Sequence, residues 1–453
     1  MFPSWLHRHM HRVVVFAART YYRVTVAGPP VPPEGPVLLV ANHPNSLLDP
    51  ALVSLVANRP IRFLARAGLF EQKTIGWLVR ASGAIPVFQR SESRDSADRN
   101  RNMFSAAHAA LLDGHPIGIF PEGLSHSEPS LAPMKTGAAR IALGVARETG
   151  RDFPILPVGL TFRGGKERFR SDALLLVGRP IRWGDLAKQA NEPLEPARLL
   201  TARIEEGLQR VTVSLGSWGD FPVVEGAEAI HDAEFGRARS GNPVRWLARM
   251  RGTAAALEEA RSEGRRERES LEEEIVEHVH ILESLGLRPH DLHQVPRAAV
   301  AARWALRNVL LFGVAAPLAI LGSILFLVPY RLVGWVEPRL ELPPDKRATY
   351  KVLGGAAAAG LWVLILATIL RYWQGWQPAI VALLALPLLG ILTVAIRDRW
   401  QDAVSDLRRI LILKGQTDLR NRLMQRQRRL AERIRTLQEE IGEGPHPPSP
   451  AGE

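Results

Sequence analysis

From about residue 24 to residue 215 the chain alternates short apolar runs with stretches whose apolar residues recur at helical spacing. The runs at 37–41, 84–88, 117–120, 155–162 and 174–177 are bounded by Gly, Pro or polar residues and read as buried strands. The stretches at 46–57, 98–112 and 136–148 read as helices, the last two ended by Gly114 and Gly150. Strands alternating with helices imply an α/β domain with a largely parallel sheet.

The rhythm then changes. Residues 216–300 mix both charges, with Leu271, Ile275, Val279 and Leu282 at helical spacing, and predict a solvated helical region. Within 301–400, the stretches 308–330, 352–370 and 372–396 contain no Asp, Glu, Lys or Arg. A helix needs about 20 apolar residues to cross a bilayer core, and each stretch is long enough. The second and third, 352–370 and 377–396, form a transmembrane hairpin with a turn around Arg371 to Gln377. The first is interrupted by Gly313, Pro317, Gly322 and Pro329, which allow a re-entrant or in-plane hairpin. Basic residues flank every end except the turn, where only Arg371 lies. The positive-inside rule therefore favours a re-entrant first segment over three full spans. Residues 401–441 form an Arg-rich amphipathic helix in which Leu430, Ile434, Leu437 and Ile441 make a short heptad stripe suited to self-association. Residues 442–453, rich in Pro and Gly, read as a disordered tail. At the other end, residues 1–23 alternate basic and aromatic residues around an apolar run too short to span, as a helix lying in the membrane interface does.

Composition sharpens this division. The mean hydropathy of −0.04 averages uncharged membrane stretches with a much more polar remainder. The formal charge is +12, carried by 51 Arg and 7 Lys against 46 acidic residues. Such an excess suits an anionic partner. Beside membrane segments, lipid headgroups fit better than nucleic acid, which is not expected as a partner. The chain has no Cys, so it can have no disulfide, thiolate metal site or Cys nucleophile. His278, His280, His290 and His293 lie on a charged helix and its Pro-containing exit, and no metal is expected.

Candidate chemistry follows the predicted strands, where open α/β sheets keep their ligand sites. After 37–41 comes Asn42-His43-Pro44-Asn45-Ser46-Leu47-Leu48-Asp49. His43 would sit on the strand-to-helix turn, with Asp49 reaching back from the first helical turn to hold the imidazole in one tautomer as a general base. The strand at 84–88 delivers Arg90, a guanidinium able to hold a phosphate. After 117–120 comes Pro121-Glu122-Gly123-Leu124-Ser125-His126, where Gly123 permits a tight turn. Pro157 and Gly159 would shape a wall in the strand at 155–162. Each residue also has a plainer reading: Arg90 as a strand-end ion pair, Lys135 as a helix-start lysine, His126 as a loop residue.

Together, the order and spacing of these four stretches, with Gly178-Arg179-Pro180-Ile181, resemble the glycerolipid acyltransferase family typified by bacterial 1-acylglycerol-3-phosphate acyltransferase. The resemblance runs from about Val24 to Ile181. It implies that His43 is the general base, Asp49 its orienting partner, and Asn42, Arg90, Glu122, Gly123, Ser125, Lys135 and Pro157 the substrate-binding set. It implies direct transfer of an acyl group from coenzyme A or acyl carrier protein, with no other cofactor, to the hydroxyl of glycerol 3-phosphate or 1-acylglycerol 3-phosphate. Many members carry Arg where this chain has Ser125, leaving Lys135 and Arg140 as candidate replacement cations. The stretch from Phe120 to Leu143 is more similar to the subgroup with membrane segments after the catalytic domain. The expectation is therefore an integral membrane enzyme with its site on the cytoplasmic face of a bacterial inner membrane. The rivals are a lysophospholipid acyltransferase of lipid remodelling and a non-catalytic lipid-binding scaffold.

Overall fold

The structure is a computed structural model that describes residues 4–73, 75–88, 96–163, 165–189, 194–236, 243–262, 266–293 and 298–442. It divides into two compact units: Met1–Ser214 with Leu342–Val352, and Leu215–Glu341 with Leu353–Glu453.

The first unit opens with helix α1 (Ser4–Tyr21) and holds a seven-stranded sheet. In chain order its elements are β1 (Arg23–Ala27), β2 (Leu38–Ala41), α2 (Leu48–Val53), β3 (Arg62–Arg66), α3 (Ala67–Glu71), α4 (Gly76–Ala81), β4 (Ile85–Val87), α5 (Ser96–Leu112), β5 (Ile117–Ile119), α6 (Gly137–Thr149), β6 (Ile155–Arg163), β7 (Asp172–Val177), α7 (Gly184–Ala187) and α8 (Glu195–Gln209). The strand order is β1-β7-β6-β2-β5-β3-β4, with β6–β7 antiparallel and every other pair parallel. This is the largely parallel sheet that the alternating pattern predicts.

Strand β2 lies between β5 and β6, and all four of its residues are buried, as a strand covered on both faces requires. Helix α6 covers the sheet with a small apolar face of Ala138, Ala139, Ile141, Ala142 and Val145. Gly150 ends it in a left-handed conformation, its N–H bonded to the Ala146 carbonyl at 2.8 Å. The helix predicted at 46–57 is shorter: Leu48–Val53 is α-helical and Ser54–Val56 tightens into a 3-10 turn. Strands β1 and β3 were not predicted. Arg23 and Arg62 open them, β1 is mostly exposed, and neither has an apolar run to mark it.

The second unit is helical: α9 (Asp220–Phe235), α10 (Pro243–Ser262), α11 (Arg266–Ser284), a 3-10 turn at Pro289–His293, α12 (Ala298–Leu325), α13 (Leu327–Val336), α14 (Pro344–Gln374, whose residues up to Val352 belong to the first unit), α15 (Trp376–Gly415) and α16 (Thr417–Gly442). Three of these, over Leu306–Leu325, Pro344–Gln374 and Trp376–Leu407, are long and apolar enough to cross a membrane by length and composition. The expected interruption within 308–330 comes late. Gly313, Pro317 and Gly322 all lie inside unbroken α12, and the break falls at Phe326. Glycine costs a helix only about 1 kcal/mol, which packing can supply, and Gly322 is where Thr393 of α15 presses against the backbone.

The Arg-rich helix expected over 401–441 is two helices. Helix α15 continues from the apolar stretch to Gly415, and α16 starts at Thr417. The stripe of α16 that suits self-association is occupied within this chain: Leu423, Leu430, Ala431 and Ile434 are buried, and α16 packs on α9, α10 and α11. Gln427 donates to Glu234 at 2.7 Å and Arg433 pairs with Glu274 at 2.8 Å. The tail from 443 lies outside the described residues.

Gly159 in β6 is required by close approach, since a Cβ there would lie 1.7 Å from the Val211 carbonyl oxygen. Gly159→Ala is expected to destabilise the acyl-free protein by roughly 1–3 kcal/mol or more, as overpacking does, read as a lower midpoint of thermal unfolding in detergent.

Candidate active site

The buried β2 ends at Ala41, and Asn42 continues its pairing with a side chain in place of backbone. Its amide donates to the Leu160 carbonyl at 3.1 Å, and its oxygen accepts from the Leu160 N–H at 2.8 Å. His43 follows. The next residues turn sharply, with Leu48 N–H bonded to Asn45 O and Asp49 N–H to Ser46 O, both at 3.2 Å. Ser46 takes φ +50, a conformation uncommon outside glycine. This turn brings Asp49, in the first turn of α2, back beneath His43.

His43 Nδ1 lies 2.8 Å from Asp49 Oδ2. The Asp49 side chain is fully buried and the His43 side chain is 18% exposed. The same Asp49 oxygen accepts the Asn45 N–H at 2.6 Å. Burial pushes the Asp49 carboxyl above its ordinary range, while its bond with His43, the imidazole charge, the Asn45 amide and the Lys166 ammonium pull it back. With Asp49 ionised its carboxylate only accepts, which puts the proton on Nδ1 and leaves Nε2 its lone pair. The imidazole is stacked on Phe120, ring centroids 4.0 Å apart and planes 12° from parallel, and Phe120 in turn stacks on Phe63.

A second carboxylate holds the loops. Glu122, 1% exposed, accepts the His43 N–H through Oε1 and the Ala132 N–H through Oε2, each at 2.8 Å. His126 Nδ1 accepts the Glu128 N–H, so its Nε2 carries the proton and donates to Glu122 Oε2. The His126 N–H donates to the His43 carbonyl at 3.2 Å. Gly123 has φ +72, and the space a Cβ would need holds the end of the Lys135 side chain, with Nζ 2.5 Å from that point. Lys135 is exposed, and its N–H donates to the Pro121 carbonyl at 2.8 Å. Ser125 donates its hydroxyl to Asp345 Oδ2 at 2.5 Å.

The structure thus gathers His43, Asp49, Glu122, Gly123, Ser125 and Lys135 into one set of connected loops. Asn42 and Pro157 belong to the sheet: Pro157 pairs in register with Val40, and its carbonyl accepts the Gly178 N–H at 2.8 Å. Arg90 lies outside the described residues. Arg140 stacks over Phe104, 4.5 Å from the ring centroid.

Several supporting residues escaped sequence reasoning. Tyr22 accepts from the Asn45 amide at 2.5 Å and donates to the Lys166 carbonyl at 2.5 Å, and burial raises its phenol above the ordinary value. Lys166 donates to the Pro44 carbonyl and to Ser127 Oγ, the latter at 2.7 Å. Burial lowers its ammonium from the ordinary value, opposed by Asp49, Asp345 and Glu167. One signal could have found it: Lys135 and Lys166 are two of only seven lysines beside 51 arginines. The histidines set aside as metal ligands have other partners. His290 Nε2 meets Asp232 at 2.8 Å, His293 Nε2 meets Glu234 at 2.7 Å, and His278 is buried against Gln427.

Residues 23–161 match the model of the Acyltransferase family. It is 27% identical over 293 residues to glycerol-3-phosphate O-acyltransferase 2 of Saccharomyces cerevisiae, covering 62% of this chain and 38% of that one. It is 28% identical over 184 residues to the 1-acyl-sn-glycerol-3-phosphate acyltransferase of Streptococcus pneumoniae, covering 40% of this chain and 62% of that one. The chain therefore spans less than two thirds of either relative. The crystal structure of the 1-acyl-sn-glycerophosphate acyltransferase PlsC from Thermotoga maritima aligns with a TM-score of 0.33 and 19% identity, covering 45% of this chain and 80% of that chain.

Glu122→Gln tests the clamp. Whichever way the amide turns, its NH2 faces a donor: the His43 N–H on one side, or the Ala132 N–H and His126 Nε2–H on the other. This near-isosteric change is expected to destabilise the protein by about 1–3 kcal/mol, measured by thermal or denaturant unfolding.

Proposed function

We propose that this protein is a membrane-bound O-acyltransferase, moving a fatty acyl group from an acyl thioester to a hydroxyl of glycerol 3-phosphate or 1-acylglycerol 3-phosphate in phospholipid biosynthesis. The observation that carries the reading is the His43–Asp49 pair, with Nε2 free to accept a proton, at the head of an Acyltransferase-family domain. The names of the relatives supply the acceptor class. In the proposed reaction the acceptor hydroxyl gives its proton to His43 Nε2 as its oxygen attacks the thioester carbonyl. The C–S bond then breaks, and the departing thiolate takes the proton back from Nε2. Asp49 stabilises the imidazolium in between, and no acyl-enzyme forms. The donor is acyl-coenzyme A or acyl carrier protein. Lys135, held over Gly123, is the cation for the acceptor phosphate, joined on sequence grounds by Arg90.

The site is proposed to face the cytoplasm, with the membrane entered by a full hairpin (α14–α15) and a re-entrant α12–α13. Contacts within the helical unit support this. Along antiparallel α12 and α15, Phe312 meets Trp400, a Cβ on Gly322 would meet Thr393, and Phe326 faces Gly390. Trp362, in the middle of the uncharged 352–370 stretch, donates its indole N–H to the Leu325 carbonyl at 2.7 Å. These contacts support a mid-depth position for the end of α12 beside the proposed hairpin. The ten residues of α13 extend about 15 Å, half of a roughly 30 Å core, which suffices to return. Helix α16, after the hairpin, packs on α9–α11, before α12, which supports an even number of crossings between them.

Two experiments test the proposal. Labelled acyl-coenzyme A and acyl carrier protein are offered to purified protein with each acceptor in turn. His43→Ala and Asp49→Asn are expected to lower transfer on the order of 10²–10⁴-fold. Equal product from wild type and His43→Ala with every acceptor would refute the catalytic reading, and free fatty acid released without acceptor would indicate a thioesterase. For topology, the absence of native Cys allows single cysteines at Glu341, Gln374 and Thr417. An impermeant maleimide is expected to label intact cells only at 374, and labelling at 417 would overturn the re-entrant first segment.

A further inference from the structure

The segment Leu342–Val352 belongs to the acyltransferase unit, although well over a hundred residues separate it from the rest of that unit. Ala348 is completely buried, in the core cluster that contains Tyr21, Tyr22, Leu39 and Leu52. Thr349 beside it is 4% exposed. Around this wedge lie polar contacts to loops of the site. Asp345 Oδ2 accepts the Ser125 hydroxyl at 2.5 Å, Arg347 lies 3.5 Å from the Glu167 carboxylate, and Lys351 Nζ donates to the Glu167 carbonyl at 3.4 Å. Along the loop Ser125 follows Glu122 and is followed at once by His126, bonded to Glu122, and Ser127, bonded to Lys166.

We propose that Asp345 is a positioning residue for acyl transfer: by holding Ser125 it fixes the Glu122–Ser127 loop, and through Glu122 the backbone of His43. The proposal rests on the acyltransferase reading. The loop is tethered at three points. Two, the Glu122 carboxylate and Lys166, come from the continuous domain, and the third comes from the start of α14. A hydroxyl bonded to a carboxylate is a strong hydrogen bond because the acceptor is charged. In the loop it does the work of an anchor, leaving Lys135 on the other side of Gly123 to meet the acceptor. Losing this anchor loosens the geometry around His43 more than it alters the affinity for the acyl donor, so its signature is in kcat and in the acceptor KM.

The test compares full-length wild type, Asp345→Ala, Asp345→Asn, Ser125→Ala and the Ser125→Ala/Asp345→Ala double variant, with Lys346→Gln as a surface control. Asp345→Ala and Ser125→Ala are each expected to lower kcat/KM for the acceptor roughly ten- to hundredfold, the range set by losing a charge-assisted hydrogen bond. The acyl-donor KM should stay within about twofold. The double variant is expected to be no worse than Asp345→Ala alone, because the Ser125 hydroxyl acts through that carboxylate. Asp345→Asn keeps a carbonyl acceptor and should fall between Asp345→Ala and wild type. Single variants within twofold of wild type, or losses that multiply in the double variant, would overturn the proposal while the wild-type enzyme remains active. A wild type inactive with every donor and acceptor would instead overturn the acyltransferase reading. Should Asp345→Ala fail to fold, the isosteric Asp345→Asn and Ser125→Ala still decide the question.

Discussion

The Glu122 carboxylate is the constraint on which the site depends. One oxygen holds the amide of the residue that bears the imidazole, and the other holds the far end of the loop that carries Ser125. A carboxylate buried to 1% exposure is costly unless several donors surround it, and it then becomes a rigid hub because no donor can leave without exposing the charge. The His43–Asp49 pair draws its precision from this hub. Asp49 orients the ring, Phe120 supports its face, and Glu122 fixes the backbone from which the ring extends.

This division gives the two acidic residues different tasks. Asp49 meets the ring of His43 and the Asn45 amide, whereas Glu122 ties together the backbone amides of His43 and Ala132 and the ring of His126. The resemblance groups Glu122 with the acceptor-binding residues. Its carboxylate oxygens are instead taken up by internal donors, so what it acts on directly is the shape of the loop. Gly123 has a similar indirect effect, since the absence of a side chain there is what lets Lys135 lie over the turn.

Much of the α/β architecture was legible in the pattern of apolar runs, because strands buried on both faces must be apolar throughout and β2, β5 and β6 obey that rule. Strands β1 and β3 were not, since their register comes from neighbours distant in sequence and their ends carry Arg. Of the site, the residues close together along the chain could be read: His43 with Asp49, and Glu122 with Gly123. Lys166, Tyr22 and Asp345 could not, because each reaches the site across a long stretch of chain and carries no local pattern. Helix α12 taught the converse lesson. Gly313, Pro317 and Gly322 look like breakers in isolation, yet the helix continues through all three, and Gly322 sits where a neighbouring helix presses closest.

The burial of Ala348 also sets an order of events during synthesis. The residues of the His43 and Glu122 loops leave the ribosome well before residue 348, and folding of a domain ordinarily begins as it emerges. Here the core around Tyr22 and Leu52 lacks a piece until residue 348 has been made, after α12 and α13. The domain that begins folding first is therefore finished late, and a chain cut short before its first apolar segments would present an incomplete core. Completion of the sheet-bearing unit is in this way tied to production of the apolar helix α12 that precedes residue 348.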